Sequence, residues 1–411
     1  MRAIMDAIIR RFLVIGCLRI RWPDGQTTIY QGAEGPDATM VVRDWTAVRR
    51  FLLNPTMAFG ECYMDGSIAP GGCTIYELLD LMLSNIASDQ SSQPVLAFRD
   101  GLGRLLRRVA QWNPAARSRR NVAHHYDLDG RLYRRFLDED MQYSCAYFPT
   151  GSETLEQAQA AKKRHIARKL VLDRPGLRVL DIGSGWGGMA LTLASDYGCE
   201  VTGITLSAEQ LAVSRERAAA AGLSDRVRFE LRDYRDLDQQ FDRIVSVGMF
   251  EHVGIGYFPT FFDTLLRSLA PGGVALLHSI GRLKGPAFTN PWLAKYIFPG
   301  GYAPALSEVL PSVEKSGLFI TDIEIWRLHY AQTLRHWRAR FDANRADIAA
   351  LYDERFCRMF EFYLAGSELS FRRCGQMVFQ LQLSRDLATV PLSRDYLSAR
   401  QVEDCHAGRV A

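Results

Sequence analysis

The residues from Asp181 to Gly188, DIGSGWGG, set closely spaced glycines between the apolar run RVL and a helical segment that begins near Met189. Glycines at such a junction let the backbone turn sharply and approach a ligand, whose anionic part can face the helix N-terminus. Dinucleotide enzymes and kinases use similar loops, so Gly183, Gly185 and Gly187 do not identify the ligand by themselves. Three details point away from a dinucleotide: the loop is shorter than G-x-G-x-x-G, the bulky Trp186 fills a spacer position, and Asp181 directly precedes the turn. The next apolar run ends in Thr205-Leu206-Ser207-Ala208-Glu209-Gln210, where an adenosine ribose would be held. Asp233-Tyr234 closes the one after it, where an adenine would lie. This set of strand ends suits S-adenosylmethionine better than a pyrophosphate.

A second stretch with chemical potential is DMQYSCAYFP, residues 140–149, in which Cys145 stands among Tyr143, Ser144, Tyr147 and Phe148. Taken alone it reads equally as a buried segment, a nucleophile, a ligand clamp or the wall of an apolar pocket. Glu251-His252 alone reads as a pair at a helix N-terminus, His278 as a satisfied histidine of a core strand, and Tyr330 as a packed aromatic.

The elements that must position these residues fall into three zones. Residues 1 to about 87 mix short β-like alternation (TTIYQG, ATMVVRD) with apolar helical segments, of which IYELLDLMLSNI at 75–86 is the clearest. SDQSSQ at 88–93, before Pro94, reads as a linker. From Val95 to Trp112 the residues Phe98, Leu102, Leu105, Leu106, Val109 and Trp112 recur at helical spacing, flanked by Arg104, Arg107 and Arg108. Such a basic amphipathic helix can lie on an anionic membrane or dock on its own domain. From about residue 150 the pattern alternates. A helix at Leu155–Leu170 precedes the strands RVLDI, CEVTGITL, RVRFELRD, FDRIVSVG and GGVALLHSI. LFITDIEIW and QMVFQLQLS then bracket a long helical insertion from Ala331 to Phe362. Apolar strands alternating with helices predict a parallel sheet covered on both faces.

Composition narrows the function classes. A chain of 411 residues with 47% hydrophobic and 23% charged residues can bury sizeable cores in two or three domains. A net charge of +4 is too small to imply nucleic acid. The eight cysteines form no C-x-x-C pair and lie near no histidine at zinc-finger spacing, so neither a metal nor a disulfide framework is expected and a reducing compartment is. Phe12–Leu18 is too short to span a bilayer, and no small-residue cleavage site follows it.

Beyond these readings, the chain resembles the cyclopropane fatty acid synthase family, which includes the mycolic acid cyclopropane synthases. The matching stretches are AFGECYMDG (58–66), HHYDLDGRLYRRFLDEDMQYSCAYF (124–148), VLDIGSGWGG (179–188), ITLSAEQ (204–210), VGMFEHVG (247–254), LLHSIG (276–281), YIFPGGYAPAL (296–306) and HYAQTLRHW (329–337). They cover nearly the whole chain, and YSCAYF, FEHVG and YIFPGG are specific in combination.

The resemblance implies an α/β, Rossmann-like methyltransferase fold: a seven-stranded, mostly parallel sheet with helical insertions and a smaller α+β N-terminal domain. It implies a lipid-associated domain at 1–90, a basic linker at 91–120, a catalytic domain at 121–395 and a tail at 396–411. The implied reaction transfers the methyl of S-adenosylmethionine to a cis double bond in the acyl chain of an unsaturated phospholipid. A bicarbonate ion then assists the deprotonation that closes a cyclopropane ring. The alternatives are a methyl-branched product, methylation of a small-molecule amine or hydroxyl, and a lipid-binding protein without activity.

The implied bicarbonate cradle is Cys145, Glu251, His278, Ile280 and Tyr330, with Cys145 and Ile280 acting through backbone groups. Implied cosubstrate contacts are Tyr143, Ser144, Val179, Asp181, Gly183, Ser184, Gly185, Trp186, Gly187, Thr205, Leu206, Ser207, Gln210, Tyr234 and Arg235. Tyr126, Tyr147, Phe148, Phe250 and Phe298 are candidates for the acyl channel. The expected setting is cytoplasmic, peripheral on the inner face of the plasma membrane, with a homodimer as an open option and without nucleic acid. Three departures stand out. His125 to Tyr133 reads HYDLDGRLY where many relatives have HYDLGNDFY, Ser184 replaces a common Cys, and Ser367 removes any covalent cysteine role at that position.

Overall fold

The computed structural model of the protein describes residues 1–88 and 130–397. The expected amphipathic helix at 95–112, most of the linker, Tyr126 and the tail beyond 397 lie outside the described residues.

The N-terminal segment builds a small sheet from β1 (Ile15–Arg21), β2 (Thr27–Gln31), β3 (Ala33–Val42) and β4 (Ile68–Pro70), in the order β2-β1-β3-β4. Leu18 and Ile20 of β1 point to one face with Tyr30, Met40 and Val42, as the two-residue period of a strand requires. Four helices cover that face: α1 (Arg2–Phe12), α2 (Trp45–Leu53), α3 (Pro55–Asp65) and α4 (Ile75–Ser88). Asp44 caps α2 by accepting from the Ala47 N–H, and Pro55 opens α3, where a missing N–H costs nothing. The apolar run Phe12–Leu18 is the end of α1 and the start of β1, joined through a buried Leu13.

The second sheet uses β5 (Arg178–Ile182), β6 (Glu200–Thr205), β7 (Val227–Leu231), β8 (Phe241–Val247), β9 (Leu269–Arg282), β10 (Phe319–Trp326) and β11 (Gln376–Ser384). Their order is β10-β11-β9-β8-β5-β6-β7, parallel from β9 to β7, with β11 antiparallel to both its neighbours β9 and β10. The expected mostly parallel, seven-stranded sheet is therefore present. The helices that precede and connect its strands are α5 (Gly130–Phe136), α6 (Leu155–Lys169), α7 (Gly188–Tyr197), α8 (Ala208–Ala220), α9 (Phe258–Ser268), α10 (Pro291–Tyr296) and α11 (Leu306–Ser316). One apolar cluster, with Leu193, Val201 and Phe229, covers one face, and another, with Phe261, Leu277 and Phe379, covers the other.

The insertion expected as one helical stretch from Ala331 to Phe362 is three helices: α12 (His329–Ala343), α13 (Arg345–Leu351) and α14 (Glu354–Arg373). The chain breaks where Asp353 takes an extended conformation and caps α14 by accepting from Phe356 N–H.

The two sheets are joined through α14, which packs on α4 and α3. Tyr63 and Tyr76 of the N-terminal segment donate to Glu361 and Glu368 of α14 at 2.9 and 3.2 Å, and Lys295 and Tyr296 of α10 each reach Glu61 of α3 at 2.8 Å. Gly60 is obligatory at this junction, since a Cβ there would lie 2.4 Å from the Trp292 indole nitrogen.

Candidate active site

The glycine loop turns between β5 and α7 by placing Gly183, Gly185 and Gly187 at φ of +82°, +53° and +86°, which side-chain-bearing residues rarely adopt. The turn opens a cavity of about 130 Å³ at the carboxyl ends of β5 and β6. Ten of the expected cosubstrate residues line it besides the loop glycines Gly183 and Gly185: Tyr143, Ser144, Asp181, Ser184, Trp186, Thr205, Leu206, Gln210, Tyr234 and Arg235.

Three expected contacts lie elsewhere. Val179 is buried in the apolar cluster beneath the sheet, one strand residue too early to reach the loop. Gly187 begins α7, and a Cβ there would meet Phe229 and Ser214. Ser207 caps α8 by accepting from Gln210 N–H. Its role is to hold the helix that carries Gln210. Thr205 Oγ1 donates to Gln210 Oε1 at 2.9 Å, which turns the amide so that its NH2 is left to donate.

Charge in this cavity is held tightly. Arg235 makes two bonds to Asp233, at 2.9 and 2.6 Å, and its guanidinium lies 5.5 Å from the Tyr234 ring centroid and 5.8 Å from that of Tyr257. Asp181 is almost fully buried, and its Oδ2 has no hydrogen-bond partner among the described residues. Burial pushes its pKa up to about 7, against the pull of the Lys162 charge. Gln142, Met249 and His252 also line the cavity, although nothing in their types or spacing marked them.

A second, larger cavity of about 970 Å³ begins at the same wall: Tyr143, Ser144, Gly248 and His252 face both spaces. All five residues of the expected cradle, Cys145, Glu251, His278, Ile280 and Tyr330, line it. Glu251 sits in a 3₁₀ turn, Phe250–His252, directly after β8, and its carbonyl accepts from Tyr302 N–H at 2.9 Å. Its carboxylate accepts from Ile280 N–H at 2.6 Å through Oε1, while Oε2 is buried without a partner among the described residues. Desolvation raises the Glu251 pKa to about 7.

His278 stands in the middle of β9, with Gln380 of β11 opposite it in the ladder. The Gln380 amide nitrogen lies 3.1 Å from His278 Nδ1. The bond engages Nδ1, and with Gln380 Oε1 left without a partner among the described residues, either orientation of the amide fits it. Burial, reinforced by the Lys162 and Lys169 charges, holds the imidazole well below its usual pKa and therefore neutral. His252 is likewise held down to about 4 by burial.

Two expectations change here. The Ile280 N–H is taken by Glu251 and its carbonyl accepts from Ser279, so its backbone serves the cradle by fixing the carboxylate. The acyl-channel aromatics divide: Phe298 lines the large cavity, but Tyr147, Phe148 and Phe250 do not. Tyr147 stacks between His165 and Trp326, Phe148 lies on His336, and Phe250 packs 4.5 Å from Phe258. These three are core residues. Cys145 offers no reactive thiol, since burial raises its pKa well above the usual value and Sγ donates to the Ala146 carbonyl.

The large cavity also runs into the N-terminal half. Phe298, Leu334 and Phe371 line it, as do Phe59 and Phe362, and Met5, Ile20, Val42 and Leu79 of the N-terminal segment. Its far rim includes Ile8, Leu53, Thr56 and Ile86. Ile8 and Leu53 are 51% and 74% exposed, and Ile4, one helical turn before Ile8, is 58% exposed. No helix among the described residues is long and apolar enough to cross a membrane.

Comparison with known proteins agrees with this geometry. Residues 114–381 match the family model described as mycolic acid cyclopropane synthetase, and residues 5–93 match a domain of unknown function, DUF7884. The chain is 41% identical over 338 residues to the cyclopropane-fatty-acyl-phospholipid synthase of Escherichia coli (strain K12), covering 82% of this chain and 85% of that one. It is 36% identical over 400 residues to the tuberculostearic acid methyltransferase UfaA1 of Mycobacterium tuberculosis, covering 93% and 91%. Among solved structures it resembles the cyclopropane synthase MmaA2 from Mycobacterium tuberculosis, with a TM-score of 0.62, 33% identity and coverage of 66% and 98%. The mycolic acid cyclopropane synthase CmaA1 complexed with SAH and CTAB gives a TM-score of 0.61, 33% identity and coverage of 66% and 99%.

Proposed function

The chain belongs to the mycolic acid cyclopropane synthetase family, and from that premise we propose how its two cavities divide the work. It is an S-adenosylmethionine-dependent methyltransferase that acts on lipid double bonds. The smaller cavity takes the cosubstrate and the larger one the acyl chain of an unsaturated phospholipid. The observation that carries this reading is their common wall at Tyr143, Ser144, Gly248 and His252, where a sulfonium methyl could meet an alkene.

An alkene is a weak nucleophile, so the protein's contribution is position and dryness. The apolar lining aligns the chain and keeps out water that would trap a cation on it. Aromatic faces near the cradle, those of Tyr330 and Phe371 among them, attract positive charge, by roughly 2 kcal/mol or more when desolvated. Ring closure requires a proton to leave the added methyl. The cradle fits a small oxyanion that carries a proton of its own: Glu251 Oε2 lacks a partner among the described residues, and the neutral His278 lines the same cavity. A bicarbonate ion bound there supplies the base. Glu251, His278 and Tyr330 would hold it, with Glu251 accepting its hydroxyl hydrogen.

The N-terminal segment, about residues 1–90, completes the channel, and its exposed Ile4, Ile8 and Leu53 suit contact with a bilayer surface. The protein would then take its substrate from the membrane face while remaining peripheral to it.

The deciding experiment incubates the purified protein with methyl-labelled S-adenosylmethionine and unsaturated phospholipid vesicles, followed by analysis of fatty acid methyl esters. Labelled cyclopropane product is expected. A labelled methyl-branched chain would transfer the reading to the alternative outcome, which the similarity to the tuberculostearic acid methyltransferase favours. Unlabelled lipid would overturn both.

A further inference from the structure

Helix α6 is mostly polar in sequence, yet it buries four polar side chains in a row: Gln159, Lys162, His165 and Lys169. The spacing of three to four residues puts them on one face. The lower pair is matched by acids, since Lys169 reaches Asp322 at 2.8 Å and His165 reaches Glu324 at 2.7 Å. Among the described residues the upper pair has no such partner within bonding distance. Gln159 donates to the carbonyls of Gln142 and Ser144, at 3.1 and 3.0 Å. Lys162 donates to Gln142 Oε1 at 2.7 Å and to Ser144 Oγ at 2.8 Å.

A fully buried lysine whose bonds go to neutral acceptors is expensive to keep. Its environment reduces that cost only in part. Asp138, Asp140 and Asp181 attract the ammonium and Lys163 opposes it, and desolvation still lowers its pKa to about 8. Its bonds have a directional consequence. An ammonium has donors and no acceptor, so Ser144 Oγ must accept, and the hydroxyl hydrogen is left to donate elsewhere. Ser144 lies on the wall shared by both cavities. Gln142 is fixed the same way, its carbonyl oxygen on Lys162 and its NH2 donating to Asp140 at 3.0 Å.

We propose that Lys162 is a positioning residue for the carboxylate at the amino-acid end of the cosubstrate, acting through Ser144. The ammonium orients the hydroxyl as a donor toward the pocket and adds a positive charge behind it, in a medium of low dielectric where both effects are strong. This rests on the cosubstrate assignment above: the sulfonium is placed at the shared wall that carries Ser144, and the amino-acid end is bonded to that sulfur.

The test compares two ligands by calorimetry: S-adenosylhomocysteine, which has the amino-acid end, and 5′-methylthioadenosine, which lacks it. Lys162→Met is expected to weaken the first by about tenfold or more, the size of one charge-assisted bond, and to leave the second within about twofold. Lys162→Arg, which retains charge and donors, should recover part of the loss. In a double-mutant cycle with Ser144→Ala, the combined loss should be smaller than the product of the single losses. Lys162→Gln, milder in volume, serves if the methionine variant does not fold. Equal weakening of both ligands would overturn the proposal, because general damage to the pocket does that. So would unchanged binding of S-adenosylhomocysteine, whatever happens to turnover. If the wild-type protein bound neither ligand, the cosubstrate assignment itself would fail instead.

Discussion

Glu251 grips the Ile280 backbone N–H with one carboxylate oxygen at 2.6 Å and leaves the other buried without a partner among the described residues. The first contact fixes the side chain to the edge of β9. The second is an acceptor held in a dry place, which is useful only if a ligand brings a hydrogen to it.

Glu251→Gln removes that acceptor while keeping the shape. Turnover should fall by about 10²- to 10⁴-fold, the usual range for a lost acid–base group. S-adenosylhomocysteine binding should stay within about threefold, since Glu251 does not line the cosubstrate cavity. Full turnover with undisturbed binding would refute the role.

The same substitution has a pH signature in stability. A carboxyl raised from 4.5 to about 7 on folding binds more protons in the folded state across that window, so its contribution declines as pH rises through it. His252 and His278, lowered on folding, act in the opposite sense below pH 6.5. The wild-type curve therefore mixes both, and the difference between proteins is the clean quantity. Glu251→Gln should gain about 2–3 kcal/mol on wild type between pH 5 and pH 8 in denaturant unfolding of the ligand-free protein. A difference independent of pH would count against the raised pKa.

Cys145→Ser should retain substantial activity, within about tenfold of wild type. The thiol is buried, protonated and bonded to the Ala146 carbonyl, a place that a hydroxyl can fill. Inactivation with an intact fold would show that the sulfur has chemical work after all.

Ile8→Glu combined with Leu53→Glu should reduce sedimentation with phospholipid vesicles. Each burial of such a side chain is worth about 1.5–3 kcal/mol. The apparent KM for vesicle substrate should rise, while kcat on detergent-dispersed lipid stays close to wild type. Unchanged sedimentation would place the contact elsewhere, and the basic 95–120 segment would be next to test.

Much of the catalytic domain was legible because its information is local. Strand–helix alternation gave the sheet, and the ends of β5, β6 and β7 delivered Asp181, Thr205 and Tyr234 to one cavity as their positions implied. The cradle residues came from the family resemblance, since Glu251 and His278 alone are unremarkable in type and meet only through the pairing of β8 with β9. What stayed hidden depends on tertiary context. Lys162 belongs to a stretch, QAAKKRHIARK, that reads as a solvated helical face. Tyr147, Phe148 and Phe250 looked like channel walls because an aromatic run does not reveal which side of it is empty. The N-terminal half of the large cavity is lined by isoleucines, leucines and methionines that any core would use.

The contact between Gly60 and Trp292 makes the small domain a support for the chemistry. Trp292 belongs to α10, and the chain leaving that helix continues to Tyr302, whose N–H holds the Glu251 carbonyl. Helix α3 is thus linked through α10 and Tyr302 to the turn that carries Glu251. Severing the N-terminal ninety residues would do more than shorten a channel: it would unbrace the turn that aims Glu251, so the detached catalytic part should lose rate on soluble substrates as well as access to membranes.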